Sequence, residues 1–242
     1  NKLRGFSFLE ENIPAEIKGR MQVVIDFFQA FIIVPLTLLP IINPLGTAPI
    51  FTATAGGNPL VTQRLARQVA INGWIILIVS MLVGTYVLEL FGISLPIVRI
   101  GGGLLVAATG WRMLNSSAED DVTAAVARES LPLSDEEIVR RSFFPLSFPL
   151  TTGPGAIAAS IALGAKLPKT PALYLLGAVV AVLGATLTMA VVYLIYRNAS
   201  TLLRRLGPVG TLVMMRLVAF ILFCIGIEIL WTGWSELNAH AS

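Results

Sequence analysis

Charge is scarce in this chain: of 242 residues, only 13% are Asp, Glu, Lys or Arg, about half the share a soluble domain carries. With 55% of the chain hydrophobic and mean hydropathy at +0.81, too little polar side chain is left to coat a globule in water. That excludes an ordinary soluble enzyme, a disordered chain and a nucleic-acid binder. Cysteine and histidine are almost missing. The single cysteine, Cys224, has no partner in the chain, so neither a disulfide framework nor a cysteine metal site can form. The single histidine, His240, is third from the end, and no HExxH, Ser/His pair or Glu pair with histidine lies in an apolar run, so the chain reads as no enzyme. The 17 basic and 14 acidic residues leave a net +3, an excess that speaks of membrane topology rather than of phosphate binding.

What is present is long apolar sequence. Six continuous runs of about twenty residues or more stand at 27–51, 69–90, 95–114, 143–165, 171–196 and 211–234, each of a length that spans a bilayer as a helix. A barrel would need ten-residue segments of alternating polarity instead, so the expected fold is an all-α integral membrane protein of six helices. The first, fourth and fifth runs contain no charged residue. Ahead of them, residues 1–26 mix both signs and lack the layout of a signal peptide; Phe6, Phe8, Leu9, Ile13 and Ile17 could form an interfacial helix interrupted at Pro14.

Lys and Arg in the connections set the orientation. Arg64, Arg67, Arg112, Arg128, Arg140, Arg141, Arg197, Arg204 and Arg205 lie on one side, against Lys166, Lys169 and the four basic residues of the tail on the other, so the positive-inside rule places both termini outside. Residues 115–142 hold seven of the fourteen acidic residues and read as a solvated cytoplasmic linker between two halves, 27–114 and 143–242. Each half opens with a run broken by Pro and Gly, at Asn43-Pro44-Leu45-Gly46 and at Thr152-Gly153-Pro154-Gly155, and closes with a helix bearing one early arginine, Arg99 or Arg216. Three helices per half is an odd number, so the second half enters the membrane upside down, the inverted-repeat plan of many secondary transporters.

The breaks are where chemistry is expected. Proline removes an amide donor and clashes with the preceding turn, at a cost of roughly 3 kcal/mol, and in hydrocarbon the freed backbone groups must find partners. An unwound backbone lining a polar cavity satisfies that need, with half-helix amides facing an anion and Asn43, Thr151 and Thr152 adding neutral ligands. An amino-acid zwitterion fits such a site. The same neutral oxygens suit sodium as a coupling ion, with protons as the alternative, and no cofactor is expected. The plainer reading is a pair of ordinary proline kinks, which membrane helices tolerate.

At these residues the sequence resembles a known family. The runs Ile42-Asn43-Pro44-Leu45-Gly46-Thr47-Ala48-Pro49-Ile50-Phe51, Phe91-Gly92-Ile93-Ser94 with Arg99-Ile100-Gly101-Gly102-Gly103, and Thr152-Gly153-Pro154-Gly155-Ala156-Ile157 are similar, in order, to those of the MarC/SnatA integral membrane proteins. The resemblance implies a six-helix inverted repeat in the cytoplasmic membrane and cation-coupled transport of small neutral amino acids such as glycine and alanine. Carried over by position, the substrate site falls on Asn43, Pro44, Gly46 and Thr47, and on Thr152, Gly153, Pro154 and Gly155. The expected partners are the amino acid and the lipid bilayer, with no nucleic acid; the oligomeric state stays open.

Charged residues also stand within the spans. Arg99 and Arg216 either snorkel to the interface or pair with loop carbonyls or a carboxylate and gate their own side. Glu228 lies deeper, where an ionised carboxylate costs about 2.5 to 3.5 kcal/mol, and is a candidate proton carrier or arginine partner. Gly177, Ala181, Gly184, Ala185 and Thr188 form a packing stripe, and Trp231 and Trp234 read as interfacial anchors. The alternative function is an aquaporin-like six-helix channel for small polar solutes, although such channels carry Asn-Pro breaks in the middle of each half rather than at its opening.

Overall fold

The computed structural model describes residues 15–56, 58–115, 135–168 and 170–239, helical almost throughout and with no strand among them. Helix α1 covers Ala15–Ile42, α2 Pro44–Thr54, α3 Pro59–Leu90, α4 Leu95–Asn115 and α5 Asp135–Arg141. A wide-turned π segment, Ser142–Thr151, then leads to α6 at Pro154–Gly164, α7 at Pro171–Arg197 and α8 at Ala199–Ala239. The tail before Ala15, His240 and most of the acidic linker lie outside the described residues.

Proline opens four of these helices. Pro44, Pro59, Pro154 and Pro171 each sit in a first turn, where a missing amide leaves no bond unmade. Asn58 caps α3, its Oδ1 accepting the Leu60 amide at 3.0 Å. That helix stops at Gly92, whose φ of 65° ends it in a left-handed turn. Gly207, at φ 67°, and Pro208 interrupt α8 near its start.

Several expected boundaries move: α1 begins at Ala15 and α8 at Ala199, each twelve residues ahead of its apolar run. Helix α3 begins at Pro59, ten residues ahead of the apolar run, because the Asn58 cap and Pro59 start it before the membrane does and Arg64 and Arg67 ride on its first turns. The stretch read as a linker ends in helix, since α5 and the π segment run together into the second break.

Among the described residues, four helices are long and apolar enough to cross a bilayer: α3, α4, residues 173–197 of α7, and α8; the number rises to six if each of two bent pairs is one span. Those pairs are α1 from Phe27 with α2, bent by 54°, and residues 136–151 with α6, bent by 68°. Large side chains such as Leu36, Tyr86, Val209, Leu217 and Trp231 are mostly exposed on the outside, a surface that suits lipid rather than water. Hydroxyls are hidden along the helices: those of Thr52, Ser80, Thr109, Ser160 and Thr188 each donate to the carbonyl four residues back. No buried side-chain nitrogen or oxygen among the described residues lacks a partner, the condition that hydrocarbon imposes.

The closest helix pair is α4 with α8, which run antiparallel and touch backbone to backbone. A Cβ on Gly103 would stand 2.5 Å from the Leu230 amide nitrogen, and one on Gly110 2.5 Å from that of Phe223. From the other helix, Gly226 lies against Ala107 and Gly233 against Pro96 and Arg99. Both glycine pairs are seven residues apart and so fall on one face, where their small size lets the helix axes approach. The two arginines reinforce the pair from opposite ends: Arg99 forms an ion pair with Glu236 of α8, and the Arg216 guanidinium donates to the last carbonyls of α4, Met113 at 3.1 Å and Leu114. Elsewhere α3 packs on α6 through Gly84 against Ile161 and Gly164 against the Met81 carbonyl, and Gly184 of α7 lies against Val34 of α1, as a packing stripe requires. The core among α1, α2, α3 and α7 centres on Leu38, Phe51, Leu65, Leu77 and Tyr196, all fully buried.

Candidate functional site

The first break is built by one asparagine. Because Pro44 follows it, Asn43 is disfavoured from continuing the helix, and it takes a left-handed conformation at φ 52°, ψ 55°, which asparagine tolerates better than most side chains. From there its Oδ1 accepts the Gly46 amide at 3.0 Å and its carbonyl accepts the Thr47 hydroxyl at 3.0 Å, while its Nδ2 points to the Met113 sulfur at 3.5 Å. Glycine at 46 is needed for this cap, since a Cβ there would stand 2.7 Å from Asn43 Oδ1.

The second break is different. Gly153 is extended, at φ −74° and ψ 177°, and no side chain caps α6, so the amides of Gly155 and Ala156, in its first turn, have no intrahelical carbonyl. Thr152 is fully buried and its hydroxyl donates to the Ser147 carbonyl at 2.8 Å.

One side chain from a third element joins the two breaks. The hydroxyl of Tyr196, at the end of α7, lies 2.8 Å from Thr47 Oγ1 and 2.9 Å from Thr151 Oγ1. Its ring stacks on Phe51 of α2, with centroids 4.4 Å apart and planes 8° from parallel, and it is fully buried. The three hydroxyls thus form one chain whose ends stand on the two broken segments.

Against this bridge lies a cavity of about 790 Å³ that runs from the breaks to the last turn of α4. Of the residues predicted from sequence, Asn43, Gly46, Thr47, Thr151, Gly153, Pro154 and Gly155 line it; Val106, Thr109, Arg112 and Met113 of α4 and Met215 and Leu222 of α8 are among the others. Pro44 and Thr152 are buried beside it without lining it. Arg112 is the one ionisable residue in the lining among the described residues. A second cavity of about 700 Å³, lined by Thr85, Glu89, Ser94, Ala165 and Tyr174 among others, shares no residue with the first.

The remaining candidates stand apart. Arg99 and Arg216 hold the α4 and α8 pair, and Glu228 is exposed on the outside of α8; none of the three lines the cavity. Sequence reading missed Tyr196, Arg112, Met113 and Glu236. Tyr196 closes an apolar run and therefore looks like an interfacial aromatic, and its partners are 149 and 45 residues away, a separation that no local pattern encodes. Among the described residues no cluster of three or more His, Cys, Asp or Glu could hold a metal ion.

Comparison with known proteins agrees with an apolar chain made for a membrane. A family model described as MarC family integral membrane protein matches residues 28–237. The inner membrane protein MarC of Salmonella typhimurium is 30% identical over 224 residues, which cover 88% of this chain and 98% of the relative. Those of Citrobacter koseri and Escherichia coli are each 31% identical, over 224 and 227 residues, with the same coverage. No solved structure matches. With a cavity between two broken helices, an apolar exterior and relatives aligned over nearly their full length, this chain belongs to the MarC family of integral membrane proteins.

Proposed function

We propose that this protein is a secondary transporter that carries small neutral amino acids, glycine and alanine first, across the cytoplasmic membrane in exchange for the free energy of a cation gradient. One observation carries the reading: both broken segments, 110 residues apart at their prolines, line a single cavity. Discontinuous helices meeting at a common site are how inverted-repeat transporters bind their cargo. The antiparallel α4 and α8, each anchored by the other's arginine, support the same two-halved organisation.

The two breaks divide the work in this proposal. Asn43 already occupies the Gly46 amide, whereas the Gly155 and Ala156 amides are uncapped, so the substrate carboxylate belongs at the start of α6 and its ammonium toward the oxygens of Asn43, Thr47 and Thr151. Arg112 gives the cavity a positive lining that favours a carboxylate-bearing cargo. Coupling to sodium, or to protons in its place, completes the scheme. Of the oxygens considered for sodium, Asn43 and Thr151 lie at the cavity and Thr152 does not, so a sodium site would draw on the first two. The separate second cavity supports a carrier that opens to one side at a time.

Purified protein in liposomes, loaded with unlabelled glycine and given labelled glycine outside under imposed sodium or proton gradients, tests this. Saturable uptake that one gradient drives, and that alanine and serine inhibit, is the expected result. Uptake that does not saturate, or that neither gradient drives, overturns it.

A further inference from the structure

The outer face of α8 carries a group that lipid does not accommodate. Leu217, Phe220, Cys224, Ile227 and Trp231 recur along it at alternating spacings of three and four and are all exposed, the period of a helix-to-helix seam. An apolar stripe alone would suit acyl chains. Glu228 does not: it is exposed on the same side and forms no hydrogen bond or ion pair with any described residue. Trp231, 63% exposed, stands five residues, about 7.5 Å, inside Glu236 and so deeper than the interfacial anchor expected from sequence, and its indole N–H is equally without a partner among the described residues.

Depth makes this costly. On α8, the Arg216 that binds the end of α4 and the Glu236 that binds Arg99 are twenty residues apart, about 30 Å of helix, which is the thickness of the hydrocarbon core. Glu228 lies eight residues, about 12 Å, inside Glu236, farther than its short side chain reaches back to water. A carboxyl held there in lipid, charged or neutral, lacks a donor.

We propose that α8 pairs with α8 of a second copy of this chain, and that the Glu228 carboxyl of each copy accepts the Trp231 indole N–H of the other. Copies inserted in the same direction meet about an axis along the membrane normal, with their α8 helices parallel and residues of like number at like depth. Trp231 stands one turn from Glu228, about 4.5 Å along the helix, within the offset at which side chains interleave across such a seam. The two-fold axis makes the bond twice. A donor and an acceptor, both unsatisfied and both on one face, select a second copy over lipid, which offers neither group at that depth. None of these residues lines the cavity between the breaks, so the dimer stands or falls independently of the transport reading.

Cys224, the chain's sole cysteine, lies on the stripe one turn from Glu228 and is a built-in probe. Oxidation of membranes holding the full chain with copper-phenanthroline should give a disulfide-linked dimer that reductant dissolves. Cys224→Ser combined with Leu183→Cys, a cysteine on the exposed side of α7, should give none. In liposomes, subunit counting by single-molecule photobleaching across protein-to-lipid ratios yields the dissociation constant. Glu228→Leu and Trp231→Phe should each raise it by about tenfold to a hundredfold, the loss of two interhelical hydrogen bonds in a membrane. The double variant should be no weaker than the poorer single one, and Glu228→Gln, which keeps an acceptor, should stay within about threefold of the parent. These side chains face outward, so folding is not at issue, and monodisperse elution of the purified protein checks it in each variant. Single copies at all densities, crosslinking of Cys224 no stronger than at position 183, or an unchanged constant in Glu228→Leu each overturn the proposal.

Discussion

Tyr196 is the side chain on which the two breaks depend together. Removing only its hydroxyl, in Tyr196→Phe, keeps the stack on Phe51 but leaves the Thr47 and Thr151 hydroxyls without their shared partner. A hydrogen bond is worth about 0.5 to 1.5 kcal/mol, so the variant should lose roughly 1 to 2 kcal/mol, read as a fall in the midpoint of thermal aggregation in detergent. Tyr196→Ala removes the ring as well and should lose about 3 to 5 kcal/mol. The glycines at the second break separate in the same way. A methyl group on Gly153 would stand 2.6 Å from the Pro149 carbonyl oxygen, a backbone atom that cannot turn aside, so Gly153→Ala should fail to elute as a folded protein. On Gly155 the methyl group meets the Val106 side chain, which can be trimmed. Gly155→Ala should therefore fold, better still with Val106→Ala, and narrow the cavity. Competition against labelled glycine should show alanine and serine weakened before glycine; equal loss of all three would make position 155 structural only.

The α4 and α8 pair supports a sharper contrast between neighbouring glycines. A Cβ on Gly103 runs into the backbone of Leu230, whereas one on Gly101 has nothing within 4 Å. Gly103→Ala should then push the two helices apart and cost several kcal/mol, in the range of overpacked cores. Gly101→Ala should be neutral or should stabilise by up to about 1 kcal/mol through helix propensity alone. Parallel melting curves of the two variants check both, and similar curves would contradict the packing. This pair also marks how far sequence reading carries. The two breaks ahead of α2 and α6 were legible, because Asn43-Pro44 and Gly153-Pro154 stand in runs with no charge to confuse them, and so were most of the apolar spans. The start of α3 was not, since Arg64 and Arg67 make its first turns look like a connection although a helix surface can carry both. Nor were the arginine anchors, because Arg99 with Glu236 and Arg216 with Met113 are 137 and 103 residues apart, and their meeting is fixed only once the helices pack. Asn43 belongs between these cases: its place was readable, but its role as a cap of α2 depends on a left-handed backbone that the letters do not display.

How the whole chain sits in the membrane follows from where its charges stand relative to these helices. Arg112 ends α4, Arg140 and Arg141 end α5, and Arg197 ends α7, which gathers them at the ends that border the acidic linker and the start of α8. Lys166 follows α6 at the other ends, beside the second cavity, whose lining includes Ala165. By the positive-inside rule the arginine-rich side is expected in the cytoplasm, and the cavity that reaches the breaks, with Arg112 and Asn115 in its lining, is then expected to open inward. Two single-cysteine variants on a Cys224→Ser background test this. A cysteine at Ser117, in the linker, should react with a membrane-impermeant maleimide only after the cells are permeabilised, whereas one at Lys166, exposed just beyond α6, should react from outside intact cells. A cysteine replacing Thr109, on the cavity wall, extends the test from topology to state. It should be labelled through the inner opening in inverted vesicles, and saturating glycine should slow that labelling if the cavity is where cargo binds. Reversal of the first two reactivities would invert the molecule, with the cavity opening outward; unchanged labelling at 109 under glycine would detach the cavity from transport while leaving the orientation intact.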